Sequence, residues 1–395
     1  MAALVAAATV ALGAAADAQA QRPRIDAPAA ILVDARTGDV LLQHNPDDER
    51  QIASTTKLMT ALLTLERAEP DDVFRAADYH AGAVESKIGL RRGERMRVHD
   101  LLVALLLESA NDAAVTLAEG VAGSRSEFVD DMNARAEELG LENTSYANPI
   151  GFDDEDNHSS ARDLAELARV LMRDSRFTEI VDRPEATLRS GARRRTIANR
   201  NRLVRTWPFV NGVKTGHTSS AGYVLVGSAS RRGAQVISVV LGTPSEAARD
   251  AESLELLDWG LDRFSRVRPV RAGRTFKRAA IAHFGDRRVA LEADRSIALT
   301  VRRGAKVTTR VDAPDELEGP LEANKRVGTV VVLVNGRPAG RAPLVTSADV
   351  PEASFVRRSR SALGWAVAFL VLAVAGVAAV RYRGSRSRRG GEVSA

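Results

Sequence analysis

The sequence predicts an α+β domain, an antiparallel sheet packed by helices, followed by a small all-β module and a C-terminal transmembrane helix. Three observations carry this. Strand-like patterns open and close residues 26–264 while helical patterns fill the middle, the order expected when one sheet collects both ends of a domain. From 269 to 350 helical periodicity disappears and short strands alternate with turns. Residues 362–380 run apolar and uncharged, about 28 Å of helix, which matches a bilayer core.

Taken in order, residues 2–16 form an apolar run ending at Ala18-Gln19-Ala20, which reads as a signal peptide over 1–20. Ala30–Val33 and Asp39–Gln43 flank Arg36-Thr37-Gly38, an opening hairpin with a glycine turn. Helical periodicity covers 54–68, 99–122, 126–139 and 161–173. Tyr223–Ser230 and Ala234–Leu241 form a second hairpin across Arg231-Arg232-Gly233, and Asp250–Phe264 is again helical. In the β module, strands are expected at 288–292, 297–301, 306–311, 328–334 and 339–345, with a turn at Asn335-Gly336. Residues 351–361 read as a linker. The span 362–380 is followed by the basic tail 381–395, whose arginines place the C-terminus in the cytoplasm and the body outside.

Composition narrows the chemistry. The chain has no cysteine, which excludes disulfides, thiolate metal sites and a cysteine nucleophile. The net charge of +5 resides in the tail: beyond residue 350 eight arginines face Glu352 and Glu392, so residues 21–350 are close to neutral and suggest no nucleic-acid partner. Of the 56 lysines and arginines, about six are lysine. Arginine stays charged at any ordinary pH, so the few lysines mark places where an amine is wanted.

Two of them fall in motifs. Ala53-Ser54-Thr55-Thr56-Lys57 precedes the apolar run Leu58, Met59, Ala61, Leu62, Leu65. If Ser54 opens that helix, Lys57 lies one turn on and can reach its hydroxyl as a base. An N-cap followed by a solvent lysine reads equally from these residues alone. Ser109-Ala110-Asn111 emerges from the apolar stretch Leu101–Leu107, as either a second hydroxyl and amide for the reaction or a helix break with local capping. Lys214-Thr215-Gly216-His217-Thr218 precedes the strand Tyr223–Ser230. There Gly216 lets a ligand approach an edge strand and the Lys and Thr can hold a carboxylate; the plainer reading is a basic surface turn. Order, spacing and context of the three together match the Ser-x-x-Lys, Ser-x-Asn and Lys-Thr-Gly set of β-lactamases and penicillin-binding proteins.

Other clusters are weaker. His44, His80, His99, His158, His217 and His283 show no metal-ligand spacing, so neither metal nor cofactor is implied. Asp153–Asp156 lacks an EF-hand loop, and Arg193-Arg194-Arg195, with no aromatic interleaving, reads as a charged turn or hairpin surface rather than a nucleic-acid site.

Between 26 and 350 the chain resembles the low-molecular-mass penicillin-binding proteins, serine-type D-alanyl-D-alanine carboxypeptidases with a serine β-lactamase/transpeptidase-like catalytic domain. The resemblance rests on Ile31–Ala35 with Thr37-Gly38, Ala53–Thr60, Ser109–Ala113, Asn148-Pro149-x-Gly151, Ser160–Asp163, Gly212–Thr218 and Ala221–Tyr223. It implies attack by Ser54 on the bond between two D-alanines of a peptidoglycan stem peptide, with Lys57 as base and Ser109 and Asn111 relaying and positioning. It further implies an oxyanion hole from the N–H groups of Ser54 and His217, and carboxylate recognition by Lys214, Thr215, Gly216, Thr218 and Arg200. β-Lactams would acylate the same serine. Some relatives carry a further substrate-side arginine after the closing hairpin. Here Gly242-Thr243-Pro244-Ser245 occupies that loop, and the more distant Arg249 is given no contact. The β module matches the family's second domain, a spacer above the membrane. Rival readings are a secreted β-lactamase, a peptidoglycan endopeptidase of the same clan, and an idle wall-binding scaffold.

Overall fold

The computed structural model describes residues 22–355 with Arg357, Val374 and Ala375. The leader 1–20 and tail 381–395 lie outside the described residues, as does the span 362–380 apart from Val374 and Ala375. Among the described residues no helix is long and apolar enough to cross a membrane. The chain forms two compact units that divide between Phe264 and Ser265.

The first unit is built on β1 (Ala29–Asp34), β2 (Val40–His44), β3 (Val210–Thr218), β4 (Gly222–Arg231) and β5 (Ala234–Thr243), in the order β2-β1-β5-β4-β3. All neighbours are antiparallel, with β1 beside β5 (Ile31 opposite Val239), so the first hairpin joins the last strand of the domain. β1 is buried along its whole length. Its alternation splits between two cores: Ala29, Ile31 and Val33 face the helical cluster, whereas Ala30 and Leu32 meet Leu256, Leu257 and Leu261. Covering both faces explains why β1 and β5 read as continuous apolar runs rather than as alternating ones. Each fully buried aliphatic side chain contributes about 1.5–3 kcal/mol by leaving water.

The helices are α1 (Lys57–Arg67), α2 (Val98–Val103), α3 (Asn111–Ala122), α4 (Arg125–Glu138), α5 (Ala161–Leu171), α6 (Ser175–Val181), α7 (Arg202–Thr206) and α8 (Glu246–Leu261). The starts of α4, α5, α6 and α8 are set by capping side chains that satisfy otherwise orphaned N–H groups. Ser124 accepts from the Glu127 N–H, Ser160 from Asp163, Asp174 from Arg176 and Ser245 from Ala248. The last of these places the start of α8 four residues before the expected Asp250.

The largest departure from the sequence pattern is in 99–122. Instead of one helix, α2 passes into a π turn over Ala104–Glu108, the chain breaks at Ser109 and Ala110, and α3 begins at Asn111. Ser109 takes a left-handed conformation (φ 64°), a geometry that costs a non-glycine residue about 1–2 kcal/mol. The apolar periodicity runs through the break because the residues on both sides are buried. The pattern therefore cannot register it.

The second unit carries β6 (Thr275–Ile281), β7 (Arg288–Ala293), β8 (Val307–Asp312), β9 (Glu316–Leu317), β10 (Arg326–Val334) and β11 (Arg337–Thr346), ordered β8-β10-β11-β7-β6-β9. A ribbon of Phe264–Val270 with Ile297–Arg302 completes it. Val289, Leu291, Val330, Val332, Ala342 and Leu344 form its core. The all-β reading of 269–350 holds. The strands at 264–270 and 275–281 were not expected, because basic residues interrupt their apolar alternation, and that at 316–317 is too short to show a period.

Candidate active site

Ser54 lies in a 3-10 turn, Ala53–Thr56, which runs directly into α1; no side chain caps the helix, so Ser54 is not an N-cap. Two backbones press against this turn. A Cβ on Gly216 of β3 would stand 2.9 Å from the Ser54 nitrogen, and one on Gly151 would overlap the carbonyl of Ala53. Asn148 shapes the second approach: its Oδ1 accepts from the N–H groups of Gly151 (2.7 Å), Phe152 (3.1 Å) and Ile150 (3.3 Å). Thr60 of α1 donates to the Pro149 carbonyl at 2.7 Å, fixing this loop to the helix.

The requirement at Gly151 yields a test. Its φ of +86° already disfavours any side chain, at about 1–3 kcal/mol, and the overlap with Ala53 must move the turn that carries Ser54. Gly151→Ala is expected to lower the melting temperature and to slow acylation by a β-lactam together. Unchanged acylation in the folded variant would show that the turn tolerates the shift.

Lys57 opens α1 and is completely buried. Its Nζ donates to Ser54 Oγ at 3.0 Å and to the Ile150 carbonyl at 2.5 Å. Burial, followed by the positive charge of Lys214, holds its pKa well below that of an ordinary lysine, while Glu85 opposes the shift. A neutral amine at 3.0 Å from a serine hydroxyl is the arrangement a general base needs.

The helix break places the second motif opposite. Ser109 Oγ accepts from Lys214 Nζ at 3.0 Å, and Lys214, 1 % exposed on edge strand β3, also donates to the Thr215 carbonyl at 2.8 Å. Burial lowers the pKa of Lys214 to about 7, helped by the charges of Arg200 and Arg249 and opposed by Glu108. Asn111, at the start of α3, turns its Nδ2 to Glu85 Oε2 at 2.8 Å. Residues from three separated stretches thus converge as two serine–lysine couples with an amide beside them.

The remaining expected residues fare differently. Arg200 is tied to Glu108 at 2.5 Å and is half exposed. His217 stacks on Tyr223, ring centroids 4.0 Å apart. The Thr218 hydroxyl is occupied: it donates to Asp153 at 2.5 Å and accepts from the Ala221 N–H, so an acid stands where a substrate carboxylate was expected. Asp153 and its acidic neighbours are otherwise exposed. Arg195 is not part of a surface turn; it is buried, pairs with Glu94 at 2.9 Å and donates to the Ile88 carbonyl.

Near the site the structure also places Arg249, which the sequence reading gave no contact, and Glu85 with Tyr79, which it did not name. Arg249, 3 % exposed on α8, lies over the Tyr223 ring at 6.0 Å and pairs with Glu246 and Asp250. Its distance along the chain from the closing strand concealed it, because α8 folds back along that strand. Glu85 and Tyr79 occupy a segment without periodicity or motif, and nothing in the sequence signals them.

The catalytic unit matches the D-alanyl-D-alanine carboxypeptidase family over residues 16–245, and residues 264–352 match the C-terminal domain of penicillin-binding protein 5. D-Alanyl-D-alanine carboxypeptidase DacA of Escherichia coli is 35% identical over 352 residues, 84% of this chain and 86% of its own. DacF of Bacillus subtilis is 30% identical over 348 residues, 86% and 90%. Among solved structures, penicillin-binding protein 5 of Haemophilus influenzae aligns with a TM-score of 0.60 at 32% identity, over 84% of this chain and 99% of that one. With the serine–lysine couples in place and both domains matched, the chain belongs to the D-alanyl-D-alanine carboxypeptidase family of serine peptidases.

Proposed function

We propose that the protein removes the terminal D-alanine from peptidoglycan stem peptides through an acyl-serine intermediate. The observation that carries this is the buried Lys57 amine, 3.0 Å from Ser54 Oγ and held below its usual pKa. Lys57 takes the hydroxyl proton as Ser54 attacks the carbonyl between the two D-alanines. The oxyanion forms between the N–H groups of Ser54 and His217, a reading supported by the close pass of Gly216 against Ser54. Ser109 relays the proton from Lys57 to the leaving amine, giving up its own and taking the one Lys57 carries, so that Lys57 is neutral again as D-alanine departs. Water then hydrolyses the acyl-enzyme. Lys214, Thr215 and Arg200 supply the positive and hydroxyl groups for the terminal carboxylate, while Arg249, buried and paired with Glu246 and Asp250, acts on Lys214 through its charge. Thr218 acts through its bond to Asp153 rather than on that carboxylate. β-Lactams acylate Ser54 by the same route.

The match of residues 264–352 to a penicillin-binding protein 5 C-terminal domain favours the carboxypeptidase over the endopeptidase reading. We further propose a leader over 1–20, a single span over 362–380 and an extracytoplasmic catalytic body with its C-terminus in the cytoplasm, on the apolar runs and the arginine tail alone.

The test is release of free D-alanine from a diacyl peptide ending in D-Ala-D-Ala by the purified protein. Release at turnover rates is expected. Cleavage of cross-linked muropeptides without release from the linear peptide would favour the endopeptidase.

A further inference from the structure

Glu85 has no place in the three motifs, yet three donors converge on its carboxylate. Oε2 accepts from Asn111 Nδ2 at 2.8 Å and from the Tyr79 hydroxyl at 2.5 Å, and Oε1 accepts from the Gly82 N–H at 2.6 Å. An ionised carboxylate has acceptors only. It therefore dictates which end of the Asn111 amide faces it: the nitrogen must turn to Glu85, leaving the Oδ1 for the opposite side. Without such a partner an amide can flip, since its two ends differ little in shape. The backbone of the same segment is tied to the same turn. The Asn111 N–H donates to the Ser86 carbonyl at 2.8 Å, and Asp112 accepts from the N–H groups of Ile88 and Leu90.

We propose that Glu85 is a positioning residue of this active site, which acts through Asn111 by fixing the orientation of its amide toward the substrate. This rests on the reading of Ser54 and Lys57 given above.

The surroundings support an ionised Glu85. Burial raises its pKa, but the bonds from Asn111, Tyr79 and Gly82, with the charge of Lys87, outweigh this and leave it lowered. The Tyr79 phenol is correspondingly raised, by burial and by Glu85, so it remains a donor; Arg125 lies 5.6 Å from its ring. The carboxylate also reaches Lys57 electrostatically. The charged groups acting on Lys57 are Lys214 from β3, which favours its neutral form, and Glu85, which favours its protonated form. Arg200, Arg249 and Glu108 act on Lys214 in turn. Removing the charge at position 85 therefore moves the acid limb of the acylation profile to lower pH. A purely structural role would leave that limb where it is.

The experiment uses the full-length protein and its Glu85→Gln, Glu85→Ala, Asn111→Ala and Glu85→Ala/Asn111→Ala variants, with fluorescent penicillin as the probe across pH. Glu85→Ala is expected to lower the second-order acylation rate roughly tenfold or more, the loss of one charge-assisted hydrogen bond. The double variant is expected to lose no more than Asn111→Ala alone, and Glu85→Gln, which keeps shape and volume, to show the downward shift of the acid limb. Losses that multiply in the double variant, or an acid limb unmoved in Glu85→Gln, would overturn the proposal. Failure of the unsubstituted protein to label would instead overturn the assignment of Ser54 and Lys57.

Discussion

Replacing Ser54 by alanine is expected to abolish covalent labelling by fluorescent penicillin and to remove D-alanine release, on the order of a millionfold in turnover. The size follows from the geometry. Among the described residues Lys57 Nζ bonds one hydroxyl, Ser54 Oγ at 3.0 Å, and its other partner, the Ile150 carbonyl, is no nucleophile. The other serine of the motifs, Ser109, has its hydroxyl paired with Lys214. Alanine fits the turn, so the variant should melt as the parent does. Labelling that survives in a folded Ser54→Ala protein would refute the acyl-serine mechanism.

Lys57→Arg is expected to lose at least about a hundredfold in acylation, the scale of a general base, although the charge is retained. Arginine cannot give up its proton near neutral pH, and its planar head does not fit a fully buried site shaped for an amine. The pH dependence follows with a definite sign. Because burial and the charge of Lys214 lower the pKa of Lys57, its neutral, basic form becomes available at a lower pH than in an ordinary lysine. The acylation rate should fall as pH drops through that lowered value and level off above it. A rate flat from about pH 5 to 10, with no limb below lysine's usual value, would argue against a titrating lysine base. Stability follows the same linkage. Lys214, at about 7 in the folded chain, binds fewer protons there than in the unfolded chain up to about pH 10.4, so its effect is a stability that rises with pH across that window.

Much of the fold was legible because its elements obey their periods. The two hairpins, helices 126–139 and 161–173 and five strands of the β module appear within a few residues of their expected limits. What failed did so for nameable reasons. The π turn and the break at Ser109 lie inside a stretch buried on all sides, where periodicity carries no information. Arg195 reads as surface because it follows two other arginines; only the docking of its hairpin onto Glu94 and Ile88 buries it. The motif that Thr218 closes shows nothing of the bond its hydroxyl makes to Asp153. The loop carrying Asp153 returns to it from 65 residues away.

The sequence by itself determined which chemistry is possible here. Three motifs in fixed order, and lysines kept at two of their positions in a chain that otherwise uses arginine, specify a serine nucleophile with an amine base. Those are choices of atoms, and atoms are written in the sequence. The tertiary structure decided whether the amine can act. Burial of Lys57 and Lys214, the break that turns Ser109 toward Lys214, and the carboxylate of Glu85 bonded to Asn111 all depend on segments distant in the chain meeting. Proton affinity is set by what surrounds a group, and no linear spacing encodes those surroundings.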